Sequence, residues 1–423
     1  MKLKMSYVQF IRYMIIIVIF AEGNFFRIFK LDGNICISVY TIAILVVSWF
    51  LLVNVKNIYY NKKTEKIFWM YFLTIVLFMI FEFVYTYLKF DEQSIISFAK
   101  NAKSYIFILM ILPIMYLMKS EDDYKKIMDL VVWLVALNLG GLLIHSFMVN
   151  NLQIGFLHPE IYRKISVREG RLRIWDLSSL EALACIYSFY GYLYFKGKVK
   201  YLLSFFICIL SLLYVEQTRM MWISIACSVL LLLCLKKSYT RTQYIMKWGS
   251  IIGVFGGGII FVIPNVINYV QEKMIGYATI TVRLREIEFA LDQLKSHPWG
   301  LGLVNSGIFG KIYYINSTMT VFSMDDIGML GYTVLVGPWI FLIYIVPMLR
   351  MLVLLIRCPD KELKTLLTAI YVYLVITSAT LFILDKYRFL MWPFCLALFE
   401  YGGCYLYSKD KGGTYNVKQK NNN

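Results

Sequence analysis

Residues 35–55 read ICISVYTIAILVVSWFLLVNV, without one formal charge. A run of that length matches the roughly 20 helical residues that cross the hydrocarbon layer of a bilayer. Residues 67–88 form a second run, interrupted only by Glu82, and 201–215 with its flanks a third. Backbone amides in lipid have no water to pair with, so a crossing segment must be a helix or a strand of a closed barrel. Barrel strands alternate apolar and polar residues, whereas these runs are smoothly apolar. The fold class expected is an all-α polytopic membrane protein. Composition agrees, at 60% hydrophobic and 16% charged, against roughly 45–50% and 25% for soluble domains.

The same reading places about twelve transmembrane helices, near 7–21, 35–55, 67–88, 104–118, 127–148, 177–195, 201–215, 220–235, 246–263, 327–349, 366–384 and 389–407. The start of the chain looks like a signal peptide, but with so many spans behind it an uncleaved first helix is expected. The net charge of +17 would suggest nucleic acid on a soluble protein. Here the basic residues mark topology instead, and no nucleic-acid partner is expected. With Lys2 and Lys4 inside, alternation delivers Lys56, Lys62, Lys63, Lys66, Lys119, Lys125, Lys126, Lys196, Lys198, Lys200, Lys236, Lys237, Arg241, Arg350, Arg357, Lys361 and Lys364 to the inside as well. Both termini are then cytoplasmic. Residues 1–408 read as a single integral membrane domain and 409–423 as a disordered cytoplasmic tail. The eight cysteines lie in or beside apolar segments and read as small buried hydrophobes.

Two long segments, about 149–176 and 264–326, are left outside, and both are rich in arginine. In the second, Leu284, Ile287, Leu291 and Leu294 recur at spacings of three and four, which predicts an amphipathic outer-loop helix. His297-Pro298 ends it, and Gly300 and Gly302 supply a turn. Arginine grips phosphate through a planar two-pronged fork and stays charged in any setting. Arg163, Arg168, Arg171, Arg173, Arg219, Arg283, Arg285 and Arg388 all fall outside in this topology. Together they suit a lipid head group carrying phosphate or pyrophosphate. Acids within or at the rim of spans are costly and tend to work. Glu82 and Glu181 lie in the outer halves of their helices, and Asp325 and Asp326 lie at the rim. Most of these acids would pair with arginines, and one could serve as general base. His145, His158 and His297 lack metal-ligand spacing, so no metal is expected. His297 reads as a turn cap or a base, and Glu400, toward the inner end of its helix, as structural.

Three motifs carry a family resemblance. Arg283-Leu284-Arg285 precedes Ser296-His297-Pro298-Trp299-Gly300-Leu301-Gly302; Asp325-Asp326-Ile327-Gly328-Met329-Leu330-Gly331 opens a span; and Gln217-Thr218-Arg219 forms a short turn before a helix. Over residues 171–337 the chain resembles the O-antigen polymerase and ligase superfamily of polysaccharide-assembly membrane proteins. The resemblance implies a polyprenyl-pyrophosphate-linked glycan as donor, acted on outside the cell membrane, with no cofactor or metal. It implies that Arg171, Arg173, Arg219, Arg283, Arg285 and Arg388 bind substrate. Glu181, Asp325, Asp326 and His297 are the candidates for the catalytic base. Membrane lipid, a chain-length regulator and a flippase are the further partners implied. The ligase branch carries His-Asn before the Gly-x-x-Gly, where this chain has Met324-Asp325-Asp326, so the polymerase branch is favoured. The Arg-x(10)-Gly spacing of some polymerases is absent from the outer loops. Ligase activity is one alternative, and a lipid-linked oligosaccharide flippase is a second, from the transporter class.

Overall fold

The computed structural model describes residues 7–22, 62–89, 107–118, 121–155, 165–168, 171–174, 180–216, 218–236, 279–303, 314–315, 320–321, 327–384 and 388–405, with isolated positions between them. The expected spans 35–55 and 246–263, and the tail 409–423, lie outside the described residues. Helices dominate. In order they are α1 (Tyr7–Glu22), α2 (Lys62–Lys89), α3 (Ile111–Leu117), α4 (Glu121–Leu152), α5 (Glu181–Tyr194), α6 (Lys198–Ser211), α7 (Arg219–Leu235), α8 (Thr279–Ser296), α9 (Gly328–Val336), α10 (Val346–Arg357), α11 (Lys361–Thr377) and α12 (Met391–Glu400). Among the described residues, three helical stretches are long and apolar enough to cross a membrane: Lys66–Lys89, Asp123–Leu152 and Lys198–Glu216. Val8–Phe20, Phe107–Leu117 and Met220–Leu235 are shorter apolar helices.

α5 is the centre of the bundle, buried at every position from Glu181 to Leu193. It packs against α4, α6, α7 and α11. α12 is buried over its whole length and packs against α3, α10 and α11. α2 lies at the periphery and exposes Met70, Leu73, Leu77, Ile80, Val84 and Leu88, the pattern of a helix with one face in lipid. Local signals set the ends. Asp360 Oδ1 accepts from the Glu362 and Leu363 amides at 2.9 and 3.2 Å, capping α11. Pro347 lies just after the π-helical turn Phe341–Ile345 that leads without a break into α10, where the wider turn accommodates a residue without an amide. Among the cysteines, Cys185, Cys208, Cys358 and Cys395 are buried as expected, while Cys234 is exposed.

Several expected spans are shorter or broken. The 327–349 span is two pieces, because Gly337 adopts φ +55° and Pro338 follows, ending α9. The 366–384 span stops at Thr377, and residues 378–384 form a turn. Both arginine-rich segments, expected as loops around one helix, also hold short antiparallel hairpins: β1 (Ile165–Arg168) with β2 (Arg171–Ile174), and β3 (Tyr314–Ile315) with β4 (Thr320–Val321).

Candidate functional site

Basic residues lie at both ends of the bundle. At the end where α5 finishes and α6 begins, cations meet partners supplied by the protein. Lys200 Nζ donates to Asp129 at 2.8 Å, Lys236 donates to the Leu193 carbonyl, and Lys125 lies 4.8 Å above the Phe195 ring. Arg350 clasps the buried Glu400 with two hydrogen bonds, one of them 2.8 Å from Nη2 to Oε2.

The opposite end holds the start of α5, the end of α6, the start of α7 and the turn between α11 and α12. The β1–β2 hairpin is built there by two alternating runs, Ile-Ser-Val-Arg and Arg-Leu-Arg-Ile, around Glu169-Gly170. Register pairs Ile165 with Ile174, Ser166 with Arg173, Val167 with Leu172 and Arg168 with Arg171. Alternation puts the apolar pairs on one face and Arg168, Arg171 and Arg173 on the other. Like charges directly across a strand pair repel. β2 lies against α4 and against the π-helical turn Leu212–Glu216 that ends α6. Glu216 Oε1 accepts from Thr218 Oγ1 at 3.1 Å. Thr218 is extended and leads into α7, whose first residue is Arg219.

Tyr373 of α11, fully buried, lies within electrostatic reach of Arg388, Glu216 and Glu181. Those three charged residues come from three separate turns. Glu181 is completely buried in the first turn of α5, where the positive end of the helix favours a carboxylate. Carboxylates and arginines are thus carried to this end of the bundle on separate elements: the start of α5, the end of α6, the β1–β2 hairpin and the turn before α12.

A second feature lies against α2 and α9. After α8 the chain turns through His297–Leu303 and lays this turn over the break at Gly337. The Leu301 and Gly302 amides donate to the Val334 and Leu335 carbonyls, both at 2.8 Å. Tyr85 donates to the Gly300 carbonyl at 2.8 Å and receives Lys89 Nζ at 3.0 Å. The Leu303 amide donates to Glu82 Oε2 at 3.2 Å. Glu82 is otherwise sealed in, and its Oε1 has no hydrogen-bond partner among the described residues. A Cβ on Gly300 would meet the Leu335 oxygen at 2.3 Å, so only glycine allows so close a backbone approach. His297 sits at the mouth of this turn with Nδ1 buried and without a partner among the described residues. Its pKa is pushed below the ordinary imidazole value, first by burial and then by the charge of Lys89, against a backbone hydrogen bond to Gln293. A neutral imidazole with a vacant nitrogen can accept a proton.

The residues expected at the site therefore divide. Glu181 and Arg388 each lie within electrostatic reach of Tyr373, with the backbones of Arg171, Arg173 and Arg219 on elements of the same end. Arg283 and Arg285 are exposed on α8, which packs against α9, and His297 lies just beyond that helix. Asp325 and Asp326 lie outside the described residues. They directly precede α9, whose first turn docks on the turn after α11 through Met329 N to Ser378 O at 2.8 Å. Sequence reasoning missed Tyr373, since one tyrosine of 33 in an apolar helix carries no signal of its own. It also missed the Glu82 clamp, which only the fold brings to Leu303. No protein-family model matches the chain, and a comparison with curated proteins finds no match.

Proposed function

We propose that the chain is a multi-pass cell-membrane glycosyltransferase that polymerises polyprenyl-pyrophosphate-linked oligosaccharide repeat units at the outer face of the membrane, as for a capsule, O-antigen or related surface glycan. In this reading the chain crosses about twelve times with both termini cytoplasmic. The lysine-rich end faces the cytoplasm and the arginine-rich end faces out. One observation carries the reading: the hairpin register sets Arg168 opposite Arg171, with Arg173 on the same strand, beside the turn that ends at Glu216. Like charges set across a strand pair repel, and a diphosphate would relieve them.

Pyrophosphate leaves readily once its charge is held, so arginines placed where that charge develops contribute more than a proton donor would. Arg171, Arg173, Arg219 and Arg388 hold the diphosphate. A carboxylate at this end, Glu181 being one candidate, would take the proton of the attacking sugar hydroxyl. His297, Asp325 and Asp326 are the other candidates for this base. Arg283 and Arg285, exposed on α8, are left out of the donor site. The chemistry uses no metal or cofactor. Deleting the gene should leave single repeat units on the carrier lipid, and normal long polymer in the deletant would overturn the reading. Long polymer stranded on the carrier would instead mark a ligase.

The break at Gly337, with the His297–Leu303 turn laid over it beside the buried Glu82, favours a second reading. Broken helices and buried acids also build transporter sites. Purified chain in vesicles that translocates the lipid-linked glycan without forming glycosidic bonds would establish that reading in place of the first.

A further inference from the structure

The outward surface of α8 is inverted relative to an ordinary packed helix. Its buried positions are Glu286, 2% exposed, and Ala290, 0% exposed, which face α9. The leucines that the spacing would assign to a core stand out instead: Leu284 is 53% exposed and Leu291 46%. These two are separated by two turns and share one flank with the half-buried Ile287 and Leu294. The neighbouring flank is polar, with Glu288, Asp292, Arg285 and Ser296 exposed, and Lys295, in line with the two leucines near the end of the helix, turns to pair with Asp292 at 3.1 Å. Just beyond the helix, Trp299 is 54% exposed, with its ring 5.7 Å from that of Phe81 on α2. Ile80 and Val84, the neighbours of Phe81 on the lipid-type face of α2, are exposed as well. Trp299 thus adjoins the exposed apolar surface of α2.

We propose that α8 is an interfacial anchor lying in the plane of the bilayer, with Leu284, Leu291 and Trp299 among acyl chains and Arg283 and Arg285 on phospholipid phosphates. A helix with a polar face, an apolar face and flanking basic residues settles at the head-group boundary. Tryptophan favours the same depth. Anionic lipid matches the exposed arginines in charge. The anchor holds the His297–Leu303 turn at the membrane surface from its other side, so the turn is gripped between lipid and the α2–α9 groove. This assignment rests on residence in the membrane and is independent of the donor chemistry.

The test is photo-crosslinking of the full chain in nanodiscs of zwitterionic and anionic phospholipid. Leu284→p-benzoylphenylalanine and Leu291→p-benzoylphenylalanine are compared with the same substitution at Asp292, and adducts are identified by mass spectrometry. Phospholipid adducts at both leucine positions, at least tenfold above the Asp292 position, support the anchor. A smaller ratio, or adducts to the chain itself in place of lipid, overturns it. In the Leu291 variant, adding Arg283→Ala and Arg285→Ala should lower the anionic share of the adducts about threefold. The corresponding lysine changes should keep that share, because attraction to a head group needs only charge. An anionic share unmoved by the alanine changes would overturn the role given to the arginines.

Discussion

Replacing Gly300 by alanine should undock the turn that covers the broken helix. The new methyl would lie 2.3 Å from the Leu335 oxygen and 2.7 Å from the Gly337 nitrogen, both backbone atoms that no rotamer change can move aside. Gly300 also holds φ +92°, and left-handed backbone costs an L-residue about 1–2 kcal/mol. Relief requires the turn to step back, which breaks the Leu301–Val334 and Gly302–Leu335 hydrogen bonds, each about 1 kcal/mol net. Opening relieves the left-handed penalty, so that penalty alone, about 1–2 kcal/mol, raises the population of the open turn by roughly 5–30-fold, and relief of the clash adds to this. Amide hydrogen exchange of the peptide spanning 298–303, in the purified chain in nanodiscs, reads that opening directly. Gly141→Ala is the control, since a methyl there meets nothing within 4 Å, and it should leave the peptide's exchange unchanged. Unaltered protection of 298–303 in a folded Gly300→Ala protein would refute the docking argument.

Four further outcomes follow from the same geometry. Arg388→Lys, which keeps charge but loses the fork, should lower in vitro polymerisation at least tenfold; if lysine works as well as arginine while alanine fails, a two-pronged grip on diphosphate is wrong. Inorganic pyrophosphate should slow amide exchange across residues 165–174, by about 2.7 kcal/mol at a hundredfold excess over its dissociation constant, and unchanged exchange at millimolar pyrophosphate would count against the arginine face as its receptor. The pKa of His297 is depressed, so its contribution to docking is full above the ordinary imidazole value and is lost as pH falls through the lowered one. Exchange of 298–303, corrected for intrinsic rates, should therefore rise at acid pH, and the rise should vanish in His297→Gln. Glu400→Ala removes two hydrogen bonds from Arg350, itself only a quarter exposed, and should cost about 2–3 kcal/mol, less than the 3–5 of a fully buried pair; a denaturation midpoint equal to that of the unaltered chain would show that the pair holds nothing.

The helical character was legible because a long apolar run leaves the backbone few choices. Lys66–Lys89, Asp123–Leu152 and Lys198–Glu216 follow the uncharged runs closely. α8 was legible as well, but not its orientation: the leucine spacing defines a stripe without saying whether protein or lipid meets it. The β1–β2 hairpin was written in the alternation of Ile165–Arg168 and Arg171–Ile174, yet the arginines drew attention to charge and away from period. The break in the 327–349 span had its cause in Gly337-Pro338, a pair that also occurs inside intact spans. Its partner, the Trp299–Gly300 backbone, is distant in sequence and could be found only from the fold. That Glu181, Glu216 and Arg388 all lie within electrostatic reach of Tyr373 has the same origin, since helix packing that no local pattern encodes carries their turns to one end.

α9 joins the two features that matter most. Its first turn rests on the turn after α11, where Gly328 approaches the Ser378 oxygen and Ala379 carbonyl carbon too closely for any Cβ. Its last turn receives the His297–Leu303 segment in the same manner, through Gly300 and Gly337. Backbone packed on backbone at both ends leaves no side chain to absorb a displacement, so α9 transmits a shift at one end to the other as a rigid piece. His297 lies with the turn at the other end, so a single nine-residue helix joins the turn after α11 to the histidine turn.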